Sequence, residues 1–209
     1  MGCVMKRVIL LFVKWPEPGR VKTRIAATVG AARAAEIYKA LVAAVCARLP
    51  RAVPVIVWFD PAEKREEIRG WLGPMLPQAV EWLAQAPGDL GARLKRAFAD
   101  AFAAGWERVA VVGSDCVDIS GAIFDDAWSA LESADVAAGP TRDGGYYLLA
   151  LRTENAALFE NIRWSTEHTL ADTEGRAEAA GLRVRRLEML DDVDTAEDWA
   201  RVAPLPGKQ

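Results

Sequence analysis

Carboxylates in two separate segments could together bind a divalent metal ion. Asp115 closely follows the apolar run 109–112, and the segment 191–198 holds five acids in eight residues. Hard cations such as Mg²⁺ and Mn²⁺ prefer carboxylate oxygens and can bridge them to phosphate. A lone carboxylate at the end of a buried strand is costly to desolvate, so a cation there would also stabilise it. We therefore predict a Mg²⁺ or Mn²⁺ site formed by Asp115 with Asp192 or Asp194.

Both acidic segments also have structural explanations. Asp115 or Ser120 could cap the following helix, because short polar side chains accept hydrogen bonds from the free N–H groups of a helix start. Thr195 and Asp198 have the spacing of a capping box, which would begin another helix. The carboxylates that precede Thr195 remain available to a metal ion in that case.

A basic loop, residues 14–24, has the composition of a phosphate-binding segment. The stretch 6–24 carries six basic residues and one acid, a net +5, whereas the whole chain carries −3. Cations on a loop stiffened by proline and hinged by glycine can neutralise a di- or triphosphate through charge-assisted hydrogen bonds. A solvated basic loop is the alternative. The predicted phosphate-binding residues are Lys14, Gly19, Arg20, Lys22, Thr23 and Arg24.

Two glycine-containing segments could contact the remainder of a ligand. In the segment 139–147 the paired glycines permit close backbone approach, and Asp143 with Tyr146 could recognise a sugar or a nucleobase. An Asp-Gly turn between strands is the alternative. In the segment 88–93 the simplest role of Asp89 is to cap a helix, and Arg93 could face an anion. The predicted substrate-binding residues are Asp89, Arg93, Asp143, Gly144, Gly145 and Tyr146.

Several well-known sites are absent from the sequence. No GxGxxG occurs, and two residues separate Gly19 from Lys22-Thr23, so a P-loop does not fit. His168 is the only histidine, which excludes a HExxH zinc site and disfavours a Ser-His-Asp hydrolase. We expect His168 to be a surface residue and Cys116 to be a packed thiol without a nucleophilic role.

The hydrophobic pattern predicts elements that would bring these residues together. Continuous apolar runs alternate with helical stripes such as Ile37, Leu41 and Val45, which indicates βαβ units, a mainly parallel sheet and helices on both faces. Such sheets bind ligands at the carboxyl ends of their strands. The predicted strands span 8–13, 55–59, 79–83, 109–112, 136–139 and 146–151. The other predicted helices span 61–71, 89–102, 122–131 and 166–180.

Composition limits the class of protein. The chain has 209 residues, 52% of them hydrophobic and 26% charged, as expected of one folded α/β domain. We expect that domain over residues 1–202 and a tail over 203–209. Net acidity disfavours nucleic acid as a partner, and no apolar run is long enough to span a membrane. Three scattered cysteines are typical of a cytoplasmic protein rather than of a disulfide framework.

The order of the motifs resembles the nucleotide-diphospho-sugar transferase superfamily, which has the Rossmann-like GT-A fold. The resemblance runs from Val8 to Asp198 and is nearest to an uncharacterised bacterial family usually labelled glycosyltransferase. One departure is Val117, where that family usually has proline, and we expect a looser turn that lets Asp118 approach the metal. The six motifs are Lys-x-Pro-x-Pro-Gly-x-Val-Lys-Thr-Arg at 14–24, Gly-Asp-Leu-Gly-x-Arg at 88–93, Gly-Ser-Asp-Cys at 113–116, Asp-Gly-Gly-Tyr-Tyr at 143–147, Trp-x-Thr at 164–166 and Asp-Val-Asp-Thr-x-x-Asp at 192–198.

The resemblance implies a metal-dependent transferase that acts on a nucleotide-activated substrate and a small-molecule acceptor. Asp115 and Lys22 would be its catalytic residues, and Asp194 would be the second metal carboxylate. Glycosyl transfer from a nucleotide-diphospho-sugar is slightly favoured over nucleotidyl transfer from a nucleoside triphosphate, although four loop cations suit a triphosphate better. A non-catalytic nucleotide-binding module is the third alternative, and the oligomeric state is left open.

Overall fold

A seven-stranded sheet forms the centre of the part of the chain that the structure describes. The structure is a computed structural model that describes residues 6–202, so the predicted tail at 203–209 lies outside the described residues. The strands are β1 (Arg7–Lys14), β2 (Val55–Asp60), β3 (Ala79–Ala84), β4 (Arg108–Val112), β5 (Val136–Pro140), β6 (Tyr146–Leu151) and β7 (Val184–Arg186).

The strand order is β3-β2-β1-β4-β6-β5-β7. Only β6 runs antiparallel to its neighbours β4 and β5, and every other adjacent pair in the described sheet is parallel. The predicted mainly parallel sheet is therefore confirmed. Because β1, β2 and β4 run in one direction, their carboxyl ends lie at one edge of the sheet, where the antiparallel β6 begins.

Helices cover both faces of this sheet, as predicted. They are α1 (Thr23–Val29), α2 (Ala31–Arg48), α3 (Arg65–Leu72), α4 (Leu90–Ala103), α5 (Gly121–Ser133), α6 (Thr169–Ala179) and α7 (Ala196–Val202). On one face α2, α3 and α5 pack on the sheet residues that include Ile9 and Leu11. On the other face α4 and α6 pack on the alternate residues, including Val8 and Leu10. Burial on both faces explains why β1 is apolar at consecutive positions.

A small third cluster joins distant parts of the chain beside the carboxyl edge. Ile25 of α1 and Ile37 of α2 are buried there together with Val117 and Val193. Trp199 of α7 packs against the same cluster. The cluster holds the segments after β1 and β4 next to the C-terminal acidic segment, which fixes the positions of the polar residues described below.

One helix begins later than its predicted start at residue 166. The α6 helix begins at Thr169, because the preceding residues form a turn closed by side-chain hydrogen bonds. In that turn the Thr166 hydroxyl donates to the carbonyl of Arg163 at 2.7 Å, and the Thr169 hydroxyl donates to the carbonyl of Thr166 at 2.9 Å. His168 consequently lies just before the helix rather than inside it, and it is exposed as expected.

Candidate active site

A cleft of about 740 Å³ lies over the carboxyl edge of the sheet, between the basic loop and the start of α4. Residues that follow β1 and β4 line its floor, and the C-terminal acidic segment reaches one side. Most of the residues singled out in the sequence converge here from five separate segments. The sequence-predicted residues that line the cleft are Lys14, Arg20, Lys22, Thr23, Arg24, Asp89, Arg93, Asp115, Tyr146 and Asp194.

The ammonium group of Lys22 lies between the two carboxylates predicted to bind metal. Its Nζ is 2.9 Å from Oδ1 of Asp115 and 2.8 Å from Oδ1 of Asp194. It also donates a hydrogen bond to the carbonyl oxygen of Val193 at 2.6 Å. The Lys22 side chain is only 5% exposed, whereas the two carboxylates keep 43% and 37% of their side-chain surface open to the cleft.

Electrostatics keep Lys22 charged in this position. Burial alone would lower its pKa, but the charges of Asp115 and Asp194 outweigh burial and raise the pKa above the ordinary lysine value.

The backbone of Lys22 has φ 46° and ψ 50°, a left-handed conformation that costs a non-glycine residue about 1–3 kcal/mol. Ser165, which also lines the cleft, has φ 59°. Two of the three non-glycine residues with positive φ in the described chain therefore line this cleft.

Asp115 is placed by the turn that ends β4. The backbone N–H of Val193 donates to the carbonyl oxygen of Asp115 at 3.0 Å, which ties this turn to the acidic segment. Val117 is buried beside Val193, so the valine that replaces the family's proline packs into the third cluster and anchors the turn. Asp118 is exposed and is not among the residues that line the cleft, contrary to the expected approach to the metal.

The acidic segment reaches Asp115 because it runs alongside the end of β5. Thr141 forms a parallel bridge with Leu190, which directs the next residues toward the cleft. The predicted capping box is confirmed: Asp198 N–H donates to the Thr195 hydroxyl at 3.1 Å, and Thr195 N–H donates to Asp198 Oδ2 at 2.9 Å. Asp198 therefore has a structural role, and Asp194 remains at the cleft.

The donor set of Asp115 and Asp194 suits a hard divalent cation. Both side chains offer carboxylate oxygens, and their Oδ1 atoms lie close enough to share one cationic partner, Lys22 Nζ. No group of three or more His, Cys, Asp or Glu residues in the described chain surrounds a common point. A Mg²⁺ or Mn²⁺ ion held by these two carboxylates would need water and phosphate oxygens as its other ligands, which is usual for Mg²⁺. The residues fit such an ion.

Asp192, the other predicted metal ligand, lies in an adjoining cavity of about 550 Å³ that shares Arg24 and Asp194 with the cleft. Burial, followed by the charges of Asp115, Asp143 and Asp194, raises the pKa of Asp192 to about 7. Asp143 also lines this second cavity, and neither Asp143 nor Asp192 is among the residues that line the main cleft.

The predicted substrate residues near α4 form a hydrogen-bonded network. Asp89 caps α4 by accepting a hydrogen bond from the N–H of Ala92 at 2.8 Å. Arg93 donates from Nε to the carbonyl of Gly88 and from Nη1 to Oε1 of Gln85, both at 3.1 Å. Gln85 was not singled out in the sequence, yet its amide donates to the carbonyls at 13 and 58 and thereby fixes the Arg93 head group.

The paired glycines have packing roles. A Cβ on Gly144, whose φ is +87°, would lie 2.1 Å from the carbonyl oxygen of Glu167. A Cβ on Gly145 would lie 3.0 Å from the Thr141 hydroxyl oxygen. Neither glycine lines the two cavities described above, and neither does Gly19, whose φ is +84° in the basic loop. Tyr146 lines the cleft, but its hydroxyl group is buried away from solvent.

Tyr38 is a second site residue, besides Gln85, that the sequence did not indicate. Its hydroxyl accepts hydrogen bonds from Lys14 N–H at 2.8 Å and from Ser114 Oγ at 3.2 Å. Burial, followed by the charge of Asp115, raises the pKa of this phenol well above the ordinary tyrosine value. Tyr38 lies on the buried stripe of α2 and therefore has the pattern of a core residue. No sequence signal distinguishes it.

This fold and cleft define the class of protein: the chain has the fold of the nucleotide-diphospho-sugar transferase superfamily. The profile of a family described as "Uncharacterized protein conserved in bacteria (DUF2064)" matches residues 42–166. The chain belongs to that family. No curated protein sequence matches the chain significantly.

Solved structures agree with this assignment. A protein from Desulfovibrio desulfuricans G20, provisionally named a nucleotide-diphospho-sugar transferase, is 36% identical, with a TM-score of 0.83 over 92% of this chain and 84% of that one. The 4-diphosphocytidyl-2C-methyl-D-erythritol synthase of Anaerococcus prevotii DSM 20548 is 12% identical, with a TM-score of 0.60 over 94% of each chain. A Mycobacterium tuberculosis H37Rv protein solved with manganese is 14% identical, with a TM-score of 0.55 over 95% of this chain and 98% of that one. The last two show only a shared fold. No helix in the described chain is both long and apolar enough to cross a bilayer.

Proposed function

We propose that the protein is a metal-dependent transferase that binds the polyphosphate of a nucleotide-activated substrate in the cleft. One observation carries the proposal: a carboxylate pair, Asp115 and Asp194, meets a basic loop at the carboxyl edge of a parallel sheet. Carboxylates alone would repel a polyphosphate, and cations alone would only bind it. Their combination suits a divalent ion shared between protein and phosphate.

Different residues of the cleft would have different roles in such a reaction. Lys14, Arg20 and Arg24 would bind phosphate oxygens by charge-assisted hydrogen bonds. Asp115 and Asp194 would hold Mg²⁺ or Mn²⁺. The ion would neutralise the charge that develops on the leaving phosphate. The small-molecule acceptor would attack from the open side of the cleft, and Asp115 would act on the phosphate only through the cation that it holds, because a bare carboxylate repels phosphate oxygens.

Glycosyl transfer from a nucleotide-diphospho-sugar is the first candidate reaction. It is supported by the 36% identical relative, whose provisional name describes this substrate class. In this reaction the acceptor hydroxyl forms a bond to the anomeric carbon of the sugar, the bond from that carbon to the diphosphate breaks, and the acceptor proton is lost to solvent.

Nucleotidyl transfer is the second candidate because of the charge in the cleft. Five cations (Lys14, Arg20, Lys22, Arg24 and Arg93) face three carboxylates (Asp89, Asp115 and Asp194), which leaves two net positive charges. A nucleoside triphosphate with its metal ion carries about two net negative charges, whereas a diphospho-sugar reaches that charge without a metal. A metal-bound triphosphate therefore balances the charge of the cleft more closely.

The product that is released distinguishes the two reactions. The enzyme would be incubated with Mg²⁺ or Mn²⁺, a bacterial metabolite extract as the acceptor pool, and in turn each nucleoside triphosphate or diphospho-sugar. Release of a nucleoside diphosphate supports glycosyl transfer, and release of pyrophosphate supports nucleotidyl transfer. Neither product in any mixture, or equal release by Asp115→Asn, would contradict a transferase. Asp118→Asn is the matched control, because Asp118 is exposed and lies outside the cleft lining.

A further inference from the structure

Three oxygen atoms of the protein hold the ammonium group of Lys22. An ammonium group has three N–H donors. Three oxygen atoms lie within 2.9 Å of Lys22 Nζ: the carbonyl oxygen of Val193 and one carboxylate oxygen each of Asp115 and Asp194. In this position two hydrogen bonds and an ion pair hold the Lys22 ammonium group within the protein, although Lys22 belongs to the basic loop that lines the cleft.

The same two carboxylates are those that fit a divalent cation. A cation added to them while Lys22 stayed in place would put two positive groups within contact distance, and such like-charge pairs repel strongly when they are partly buried. Departure of Lys22 without a replacement would be unfavourable as well, because two neighbouring carboxylates would then repel each other. Lys22 is the one cation among the described residues that contacts both carboxylates, since Arg24 pairs with Asp194 alone at 3.5 Å.

We propose that Lys22 competes with the divalent cation for Asp115 and Asp194, so that the cation binds tightly only after a polyphosphate has drawn the Lys22 ammonium group away. This inference rests on the proposed function. It makes cation binding and polyphosphate binding positively coupled, since each removes an obstacle to the other. The free protein would then bind the cation weakly.

The surroundings of Lys22 allow such an exchange. Its new acceptors would be the phosphate oxygens that Lys14, Arg20 and Arg24 hold in the same cleft. Lys22 lies immediately before α1, in a left-handed backbone conformation that ordinary residues seldom adopt. Gly19 and Arg20, which precede it, are exposed. Once both ligands are bound, the cation takes the place of the Lys22 ammonium group beside Asp115 and Asp194, so the two carboxylates are again neutralised.

Binding of Mn²⁺ alone tests the competition. Mn²⁺ would be titrated into wild type, Lys22→Met and Arg24→Met without nucleotide. Binding would be measured by the loss of the free Mn²⁺ signal in electron paramagnetic resonance. Arg24 is the matched control, because its guanidinium lies 3.5 Å from Asp194 and its removal deletes the same charge from the same loop. We expect Lys22→Met to bind Mn²⁺ about tenfold more tightly than wild type, and Arg24→Met to change the affinity by less than about threefold.

The other outcomes separate the two proposals. Equal and measurable Mn²⁺ affinities of wild type and Lys22→Met would overturn the competition and leave the metal site in place. Equal tightening in Arg24→Met would overturn it as well, because general charge would explain the gain. No binding by folded Lys22→Met would overturn the metal site itself, and with it the proposed function. Asp115→Asn in the Lys22→Met background should abolish the tight binding, and unchanged binding would place the ion elsewhere.

A measurement on wild-type protein removes any dependence on variant folding. Nuclear magnetic resonance of ¹⁵N-labelled lysine detects the Lys22 ammonium group, and its signal is identified by its absence in Lys22→Arg. We expect saturating Mg²⁺ alone to leave this signal unchanged, and Mg²⁺ with inorganic tripolyphosphate to shift it. A signal that moves with Mg²⁺ alone, or that stays unchanged with both, would overturn the proposal.

Discussion

The hydroxyl of Tyr38 accepts a hydrogen bond from the backbone N–H of Lys14 at 2.8 Å. Ser114 Oγ donates to the same oxygen at 3.2 Å, next to the Asp115 carboxylate. One buried phenol on α2 thereby joins the start of the basic loop to the turn that carries the predicted metal ligand. This oxygen therefore helps to set the relative placement of the predicted phosphate-binding and metal-binding residues.

Tyr38→Phe removes the shared acceptor and keeps the ring. We expect the free energy of unfolding to fall by about 1–3 kcal/mol, because the Ser114 hydroxyl and the Lys14 N–H lose their partner. Chemical denaturation measures this change. Ser114→Ala should cost less, since it leaves the bond between Tyr38 and Lys14 intact, and an equal or larger loss would contradict the shared role of the phenol.

Arg20 and Arg24 should each strengthen polyphosphate binding through their positive charge. Both side chains are exposed, at 73% and 72% of their surface, and their ion pairs with Glu17 and Asp194 are long at 3.4 and 3.5 Å. Each change to alanine should weaken binding of inorganic tripolyphosphate about tenfold, because hydrogen bonds to charged groups contribute about 1.5–3 kcal/mol.

Isothermal titration calorimetry at two salt concentrations checks this prediction, and the loss should shrink as salt rises. Lys39→Ala is the control, because Lys39 is a partly exposed residue of α2 outside the cleft lining and pairs only with Glu36 among the described residues. A loss of the same size in Lys39→Ala would show that general charge, not the loop, determines binding.

Gly144 should be required for folding and not for ligand contact. Gly144→Ala would bring a Cβ within 2.1 Å of the Glu167 carbonyl oxygen at a φ of +87°, so we expect a cost of about 2–4 kcal/mol in unfolding free energy. Gly175→Ala is the control, because a Cβ there meets nothing within 4 Å, and it should stabilise α6 by about 0.5–1 kcal/mol. Similar effects of both changes in thermal melting would contradict this account.

The ion pair of Asp172 with Arg163 should make stability depend on acid pH. Hydrogen bonds from the Arg163 side chain, and then from its backbone N–H, hold the pKa of Asp172 well below its ordinary range. A carboxyl group with a lowered folded-state pKa contributes stability above its ordinary pKa, about 4, and loses it as the pH falls toward the folded-state value. The difference in melting temperature between wild type and Asp172→Asn should therefore be largest above about pH 5 and shrink on acidification. A constant difference would contradict the pair.

The sequence could predict the sheet and the ligands at strand ends because local patterns determine them. The apolar runs of β1 and β4 are buried on both faces, and such strands read as continuous hydrophobic sequence. Asp115 could be selected because it follows the end of β4, and Asp89 was correctly expected to cap α4 because the cap is local.

The contacts that the sequence could not predict join residues far apart in the chain. Lys22 lies beside Asp194 across 172 positions, and the proximity depends on the third cluster and on the bridge between Thr141 and Leu190. Tyr38 and Gln85 have the patterns of an ordinary core residue and an ordinary loop residue. The paired glycines were predicted to approach a ligand, and steric contact with Glu167 and Thr141 also requires glycine at these two positions. Packing between distant segments decides these cases.

Nucleotide binding in the cleft should require a divalent cation held by Asp115 and Asp194. Thermal melting against nucleoside triphosphates and UDP-, GDP-, ADP- and CDP-sugars, with and without Mg²⁺ or Mn²⁺, tests this claim. A ligand at about one hundred times its dissociation constant adds about 2.7 kcal/mol of stability. We predict that at least one nucleotide raises the melting temperature of wild type and Asp118→Asn only with metal, and leaves Asp115→Asn unchanged. Stabilisation that is independent of the metal, or that persists in Asp115→Asn, would contradict the claim.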